Sequence, residues 1–170
     1  MYWDVYGSRI NMNEPIWVNY HKHTSLSNRY MKDSPLLPID YWNELKARYG
    51  NKSCIYTTVE HGWAGNCFKQ YDDLEKFNKK NGTNIRWIYG AEAYWVKDRH
   101  ESDRSNCHIV LLARTDKGRK AINKILSIAN KDGYYARPRI DLELINQLPI
   151  DDVMITTACI AFWNKYDDID

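Results

Sequence analysis

Two histidines, His21 and His23, are separated by one residue and follow the apolar segment Ile16-Trp17-Val18. This arrangement predicts a short β-strand that ends in two imidazoles. Because alternate residues of a strand face the same side, we expect both imidazoles to point in one direction and form half of a metal site. A His-x-His pair can also be two unrelated surface histidines, so the prediction depends on the other ligand-type residues of the chain.

Further side chains that bind metals occur near the ends of other predicted strands. The chain has 5 histidines, of which only His100 lies in a polar, charged stretch. The candidates are Glu60 and His61 after the second strand, Glu92 after Gly90 in the third, His108 at the start of the fourth and Cys159 after the last. Nitrogen, carboxylate and thiolate ligands together are typical of zinc or a mixed transition-metal centre. A bridging carboxylate such as Glu92 would hold two ions together, which can activate water and bind a phosphoester.

Each candidate also has an ordinary structural interpretation. Glu60 is more often a surface or supporting carboxylate than a ligand, and Cys159 in an apolar strand is more often a buried hydrophobic residue. Glu92, beside aromatic residues, can be a buried and hydrogen-bonded acid without a metal. Other chemistries are less well supported, because the chain has no Gly-x-Ser-x-Gly segment and no glycine-rich phosphate loop. The metal interpretation therefore depends on the whole set of residues.

The elements that must position these residues alternate between strands and helices. We expect strands at 16–20, 53–59, 85–96 with an interruption at Gly90, 108–113 and 153–159, and helices at 39–49, 64–81, 117–131 and 140–147. This alternation predicts βαβ units and an α/β fold with a parallel sheet or barrel. In such folds the functional residues collect at the carboxyl ends of the strands, where most of the candidates lie.

Composition limits the class of protein further. The 170 residues, 44% hydrophobic and 27% charged, predict one globular domain at 16–163, between an irregular leader at 1–15 and a polar tail or severed linker at 164–170. No apolar stretch reaches the length of about 20 residues that spans a membrane. The 4 cysteines show no Cys-x-x-Cys spacing, which favours a reducing, cytoplasmic location. A net charge of +2 is too small to indicate nucleic-acid binding by itself.

The order of the motifs resembles the PHP (polymerase and histidinol phosphatase) domain family. The motifs are His21-Lys22-His23-Thr24-x-x-Ser27, Glu60-His61-Gly62, Tyr89-Gly90-Ala91-Glu92, the strand from Cys107 to Ala113, the segment from Tyr134 to Asp141, and Thr157-Ala158-Cys159. The segment Tyr134 to Asp141 and the strand from His108 to Ala113 are typical of the branch at the N-terminus of bacterial DNA polymerase III alpha subunits. The resemblance covers about Ile16 to Cys159 without interruption.

This resemblance implies a distorted (β/α)7 barrel with a cluster of two to three zinc or manganese ions at the carboxyl rim of its strands. The family's ligand positions correspond to His21, His23, His61, Glu92, His108 and Cys159, with Asp33 at a more loosely aligned acidic position. His21, His23 and Glu92 would then be the catalytic residues. The implied function is a metal-dependent 3′–5′ exonuclease that acts on the 3′ end of DNA during replication. The alternatives are a catalytically silent scaffold that braces a polymerase core and, with less support, a small-molecule phosphatase.

Three departures from the family pattern affect these expectations. The family's Asp-His-Gly is Glu60-His61-Gly62 here, and Phe162-Trp163 replaces a small residue, a change that would crowd the rim. No histidine follows His108, so the final Asp-x-His motif is missing. We therefore expect a barrel truncated before its last strands, or one piece of a split, phage-type polymerase, with weak or no activity alone. The strand at 153–157 should then form an open edge, against which a polymerase core or complementary chain docks near residues 153–163.

Overall fold

In a computed structural model of the chain, the structure describes residues 15–29, 32–102 and 104–160. The elements along this part are β1 (Trp17–Val18), a 3₁₀ helix (Ser25–Arg29), α1 (Pro38–Tyr49), β2 (Ser53–Thr58), α2 (Cys67–Asn81), β3 (Asn84–Trp95), β4 (Cys107–Ala113), α3 (Asp116–Lys131), β5 (Tyr134–Tyr135), β6 (Arg137–Ile140), α4 (Leu142–Ile145) and β7 (Val153–Thr157). The expected tail and the pair Phe162-Trp163 lie outside the described residues. The expected leader also lies outside them, except for Pro15.

The three long helices begin and end where the sequence provides local signals. Helix α1 has Pro38 in its first turn, and the Thr115 hydroxyl accepts a hydrogen bond from the first turn of α3. Helix α2 ends at Gly82, whose left-handed φ of 64° a residue without a side chain adopts at little cost. These signals explain why the predicted helices agree with the structure to within three residues.

The buried face of α2 differs from the predicted one. Helical spacing in the sequence predicts one face with Phe68, Tyr71, Leu74 and Phe77. Leu74 and Phe77 are buried and Tyr71 packs against the core, but Phe68 is 65% exposed, and Cys67 and Gln70 are buried instead. The prediction was wrong for Phe68, because residues 67 and 68 both lie at helical spacing from Tyr71.

The strands form one sheet in the order β1-β2-β3-β4-β7, which curls into half a barrel and is packed against the helices. Strands β1, β2 and β3 are parallel, whereas β4 is antiparallel to both β3 and β7. The α/β barrel class is therefore confirmed, but the expectation of a fully parallel sheet was wrong. The described residues between β3 and β4 form no helix, so the chain returns directly as an antiparallel strand.

Strand β3 is continuous through Gly90, contrary to the expected interruption. Its first half pairs with β2, and its second half, from Gly90 onward, pairs with β4. A Cβ atom at Gly90 would lie 2.7 Å from a methyl group of Leu112 and 2.9 Å from the carbonyl oxygen of Leu111. Gly90 thus permits the close approach of two strands where β3 exchanges partners.

The two faces of β4 bury different residues, as expected for a strand covered on both sides. Ile109 and Leu111 belong to the main core beneath the helices, whereas Val110 and Leu112 pack with Val59 on the opposite, inner face of the curled sheet. Residues paired across antiparallel strands face the same side. Glu92 is paired with Val110 and Tyr94 with His108, so these polar residues lie on the inner face.

Three smaller expectations need correction. The expected strand at 16–20 is only the two-residue β1, and the expected loop after it contains the 3₁₀ helix. The expected helix at 140–147 is reduced to α4, because Ile140 belongs to β6. The hairpin formed by β5 and β6 was not anticipated, and Pro138 within it weakened any strand pattern.

The expectation that the last strand lies at the edge of the sheet is confirmed. Among the described residues β7 pairs on one side only, with β4, and its Ile155 is 41% exposed. None of the helices in the described ranges is long and apolar enough to cross a membrane.

Candidate metal centre

The His21 and His23 side chains converge as the spacing predicted, although β1 ends earlier at Val18. Their Nε2 atoms are 3.0 Å apart, and each lies about 3 Å from the same carboxylate oxygen of Glu92, at 3.0 Å for His21 and 2.9 Å for His23. The carboxylate is buried, whereas the His21 side chain is 40% exposed. The pair therefore forms the solvent-facing entrance of a polar site, and Glu92 forms its floor.

Glu92 faces four histidines. Besides His21 and His23, the Nδ1 atom of His108 lies 3.0 Å from Glu92 Oε1, and the Nδ1 atom of His61 lies 3.7 Å from Oε2. Glu92 was expected at the end of a strand. It lies instead within β3, close to the position at which the neighbouring strand β2 ends. His108 reaches the same rim because β4 is antiparallel, so its beginning lies beside the end of β3.

Asp33 joins the site from the loop between the 3₁₀ helix and α1. Its carboxylate pairs with the Nε2 atom of His61, and the rings of His61 and His23 stack in parallel with centroids 4.4 Å apart. Asp33 therefore lies beside the other candidate ligands, although it matched the family's acidic position more loosely than they matched theirs.

Six of the seven predicted ligands group into three overlapping triads of potential ligand atoms, each triad lying within 4.8 Å. The triads are His21, His23 and Glu92; His23, Asp33 and His61; and His61, Glu92 and His108. His23, His61 and Glu92 each belong to two triads, so the triads are overlapping parts of one cluster. A neutral imidazole binds an ion through one nitrogen, whereas a carboxylate can bridge two ions, so Glu92 is the shared residue that could join neighbouring ions.

The donor chemistry fits a bound transition metal. A buried carboxylate usually accepts hydrogen bonds from protonated groups. The Nε2 atoms of His21 and His23 are only 3.0 Å apart, however, so they cannot both carry a proton that points toward the other atom. The Nδ1 atom of His61 is buried and has no hydrogen-bond partner. Imidazole nitrogens and carboxylate oxygens that converge without enough protons between them could together hold a metal ion.

The protonation states also suit this role. Burial alone would raise the pKa of Glu92, but its hydrogen bonds to His108, His21 and His23 outweigh this effect and hold the pKa well below its usual range. Burial lowers the pKa of His61, which therefore stays neutral near pH 7. For His23, burial lowers the pKa, but the carboxylates of Glu92, Asp33 and Glu60 together outweigh this effect and raise it. The low pKa of Glu92 favours its anionic form at the centre of the site.

Behind the ligands, a second buried carboxylate fixes the backbone. Glu60 accepts hydrogen bonds from the Thr24 amide at 3.2 Å, the Thr24 hydroxyl at 2.7 Å and the Ser27 hydroxyl at 2.5 Å. The supporting role expected for Glu60 agrees with this position, but the surface location does not, since the side chain is buried. The longer arm of glutamate reaches the 3₁₀ helix that follows the His-x-His pair.

Ser27 connects this support to two of the ligands. Its hydroxyl donates to Glu60 and accepts from the His61 amide at 3.2 Å, which leaves one lone pair for the Nδ1–H of His23 at 2.9 Å. Donation from Nδ1 leaves Nε2 of His23 to face Glu92 and a metal ion. The sequence showed Thr24 and Ser27 only as part of a motif; their small hydroxyls, spaced three residues apart after the histidines, were the available signal.

Lys22 holds the His-x-His segment from the opposite side. Its ammonium lies 4.2, 4.7 and 5.1 Å from the ring centroids of Trp17, Tyr41 and Tyr56, and burial lowers its pKa to about 8. The Tyr41 hydroxyl also donates to the His23 carbonyl at 2.9 Å. Cation–π contacts on one side therefore anchor the backbone that presents the two histidines on the other.

The predictions for His100 and Cys159 have different outcomes. His100 lies outside all three triads, as expected from its polar surroundings. Cys159 is near the site, because its sulfur accepts a hydrogen bond from the His108 amide at 3.3 Å, but it belongs to none of the triads. Its role as a ligand stays a prediction.

Comparison with known proteins gives consistent matches. The family model described as the PHP domain matches residues 19–161. DNA polymerase III subunit alpha from Aquifex aeolicus (strain VF5) is 31% identical over 156 residues, which is 85% of this chain and 12% of that protein. The protein of the same name from Borreliella burgdorferi is 31% identical over 152 residues, or 86% of this chain and again 12% of the relative. This chain therefore spans about an eighth of the length of these curated relatives.

We expect the purified chain to bind zinc or manganese and to lose it on acidification. Imidazoles bind metal only when deprotonated, so binding should weaken as the pH falls through their reference pKa of about 6.5. Protons should compete first at His23, whose pKa is raised, and last at His61, whose pKa is lowered. Elemental analysis after reconstitution measures the effect, and about a tenth of an ion per chain or less would contradict the metal site.

Replacement of single ligands tests which residues hold the metal. His61→Ala and Glu92→Gln each change two triads and should lower the metal content more than His21→Ala, which changes one. Cys159→Ala decides whether the thiol is a ligand, since only a ligand's removal should reduce the bound metal. The control is His100→Ala, which lies outside the triads and should bind metal as the unmodified chain does.

Ser27→Ala should weaken metal binding about 10–100-fold, because loss of a group that orients a ligand has effects of this size. The change leaves His23 Nδ1 and the buried Glu60 without their shared hydroxyl. Competition with a chelator measures the affinity. Ser25→Ala removes a hydroxyl from the same short helix and should have no such effect; equal affinities of the two variants would contradict this role for Ser27.

Proposed function

Because the chain belongs to the PHP domain family, we propose that its metal centre hydrolyses phosphodiesters at the 3′ end of DNA, as part of a DNA polymerase III alpha-type replication protein. The observation that carries the proposal is the buried carboxylate of Glu92, which faces four histidines at the rim of a curled sheet. The names of the relatives support the link to replication. A replication protein would also have the cytoplasmic location that its cysteines favoured.

The side chains divide the work of such a site between them. His21, His23 and Glu92 would hold ions at the entrance, and Asp33, His61 and His108 would hold them further inside. Two to three zinc or manganese ions bound there would supply an activated water and neutralise the charge of a phosphodiester. No nucleophilic side chain is then needed.

His21, His23 and Glu92 are the residues that we propose as catalytic. His21 is the most exposed of the six converging residues and lies where a substrate would enter, whereas hydrogen bonds from the histidines outweigh burial and hold the pKa of Glu92 below its usual range, which favours the anion. Glu92 keeps the histidines oriented toward one point, so that the reacting phosphate meets a fixed arrangement of groups.

A scaffold that braces a polymerase core is the second candidate. The observation that favours it is β7, which pairs on one side only among the described residues and exposes Ile155. A structural role and a catalytic role are compatible in one domain, but a scaffold alone would not need six converging ligand-type residues. A phosphatase for small molecules is a third candidate, which substrate turnover separates from the others.

Degradation of a 3′-labelled primer tests the proposed reaction. We expect slow, metal-dependent release of the terminal nucleotide, slow because the family's last ligand motif is missing from these residues. His21→Ala should abolish the release, and His100→Ala should leave it unchanged. Equal release by the unmodified chain and His21→Ala would contradict the proposal, whereas turnover of phosphomonoesters alone would indicate the small-molecule phosphatase.

The open edge of β7 leads to a proposal about the partner. We propose that the polypeptide carrying the polymerase core, or a complementary chain, docks near residues 153–163, because unpaired strand edges recruit further strands. The end of this range, from residue 161, lies outside the described residues. Ile155 would be buried by the docking.

We expect Ile155→Lys to weaken association with the polymerase core at least about tenfold, which corresponds to the loss of one well-buried apolar side chain. Ile39→Lys, at a position on α1 of similar exposure, is the matched control. Light scattering should show whether the chain instead pairs with a second copy. A clean monomer at high concentration, with Ile155→Lys and Trp163→Ala both leaving partner binding unchanged, would exclude docking at this edge.

A further inference from the structure

The hairpin of β5 and β6 exposes two large aromatic side chains beside the metal centre. Tyr134 is 54% exposed and Tyr135 is 37% exposed, although both lie in a regular two-stranded hairpin. The turn between the strands is tight, with Ala136 at a φ of 60°. The hairpin is therefore a firm support for two rings that the core does not use.

The hairpin rests directly on the backbone of the metal centre. A Cβ atom at Gly62 would lie 2.7 Å from the Cγ atom of Pro138, so the two segments are in close contact. Gly62 follows the ligand His61, and its amide donates to the Glu92 carbonyl at 2.7 Å. The hairpin that carries the two tyrosines is thus packed against the segment that follows His61.

Arg137 adds a positive charge between the tyrosines and the centre. Its guanidinium donates to the Tyr94 hydroxyl at 3.1 Å and lies 5.0 Å from the centroid of that ring. The Tyr94 ring in turn stacks on His61, with centroids 5.7 Å apart, and meets the edge of His108 at 5.1 Å. The side chain of Arg137, of intermediate exposure, therefore lies one ring away from two metal ligands.

The ring of Tyr135 is held in place from below. The guanidinium of Arg139 lies 5.4 Å from its centroid. Arg139 is itself buried and donates to the carbonyl oxygens of Gly133, Glu101 and Arg99 at 3.0, 2.7 and 2.5 Å. A ring fixed on one face by an immobile cation loses little freedom when a planar group stacks on it.

We propose that this hairpin is a platform for single-stranded DNA, in which the strand passes over the hairpin with one base stacked on Tyr134 and another on Tyr135, on its two faces, while Arg137, on the face of Tyr135, contacts a phosphate on the way to the metal centre. Every base has a stacking face, so exposed aromatic rings bind single strands without regard to sequence. The planar guanidinium of arginine suits phosphate oxygens. The proposal rests on the proposed function for the choice of DNA, but its contacts are separate from the metal ligands.

Fluorescence anisotropy of a short 5′-labelled oligothymidylate, measured on the full chain in EDTA, tests the platform without hydrolysis. The double variant Tyr134→Ala, Tyr135→Ala should bind at least about tenfold more weakly, since the loss of a stacked base costs about 5–150-fold. Phe68→Ala, which removes a ring of 65% exposure on α2, is the matched control and should bind normally. Tyr134→Ala alone, at the more exposed of the two positions, gives the same direction of change if the double variant folds poorly.

Arg137→Gln gives a second, independent readout. If its guanidinium binds a phosphate of the single strand, its removal should reduce the slope of log affinity against log salt by about 0.7, an effect that a merely structural arginine would not produce. The metal content of this variant is measured in parallel. An unchanged salt slope would overturn the phosphate role.

The outcomes separate the platform from the proposed function. Oligothymidylate binding in EDTA reports on the platform alone, whereas primer degradation in the presence of metal reports on the metal centre. Three results would overturn the platform: no binding of oligothymidylate by the unmodified chain, equal loss in Phe68→Ala and the tyrosine variants, or tighter binding of oligouridylate. The first of these would instead favour a protein partner for the exposed tyrosines. Failure of the primer assay alone would leave the binding result intact.

Discussion

The buried carboxylate of Glu92 is the group on which the arrangement of the rim depends. A charge in such a position is costly unless polar groups surround it, and four imidazoles do so from three segments of the chain. Each of these segments must end or begin at the same place for that to happen. Three places in the chain meet this condition: the end of β2 opposite Tyr89, the start of β4, and the segment that follows β1.

The mixed direction of the sheet explains how so many ligands reach one point. A parallel sheet delivers side chains to its rim only from the ends of strands. Here β4 runs the other way, so the start of that strand contributes His108 to the same rim. Strand β7 reverses again, and Cys159, just beyond its end, returns to the amide of His108. The half-barrel thus uses both ends of its strands for one site.

Most of the site could be predicted from the sequence, because its ligands are of chemically distinctive types and lie near strand boundaries that apolar runs reveal. The His-x-His pair, His61, Glu92 and His108 are examples. The antiparallel course of β4 could not be predicted so readily, since periodicity is the same for both strand directions. The direction of β4 depends on the connection that precedes it. The sequence predicted no helix in this connection, but the alternation of strands and helices elsewhere in the chain outweighed that observation.

The supporting residues were harder to predict for a different reason. Thr24, Ser27 and Glu60 are common residue types whose value lies in a network of hydrogen bonds over long sequence separations. Lys22 likewise gave no sign that its ammonium would be enclosed by three rings. A sequence pattern shows which residues share one face of a helix or strand. The contacts of these supporting residues form only after elements that are distant in the sequence have packed together. The hairpin at Tyr134–Tyr135 was missed for another reason, since Pro138 weakens the strand pattern of its second strand.

The packing of Gly62 against Pro138 has a consequence for how this protein can evolve. Gly62 has a φ of 69°, and a side chain there would meet both Pro138 and Tyr94. A smaller residue at 138 would therefore not by itself make room for a side chain at 62, because the strain of the backbone and the contact with Tyr94 would remain. Glycine should thus persist at position 62 among descendants of this sequence, and with it the close packing of the hairpin on the segment that carries His61.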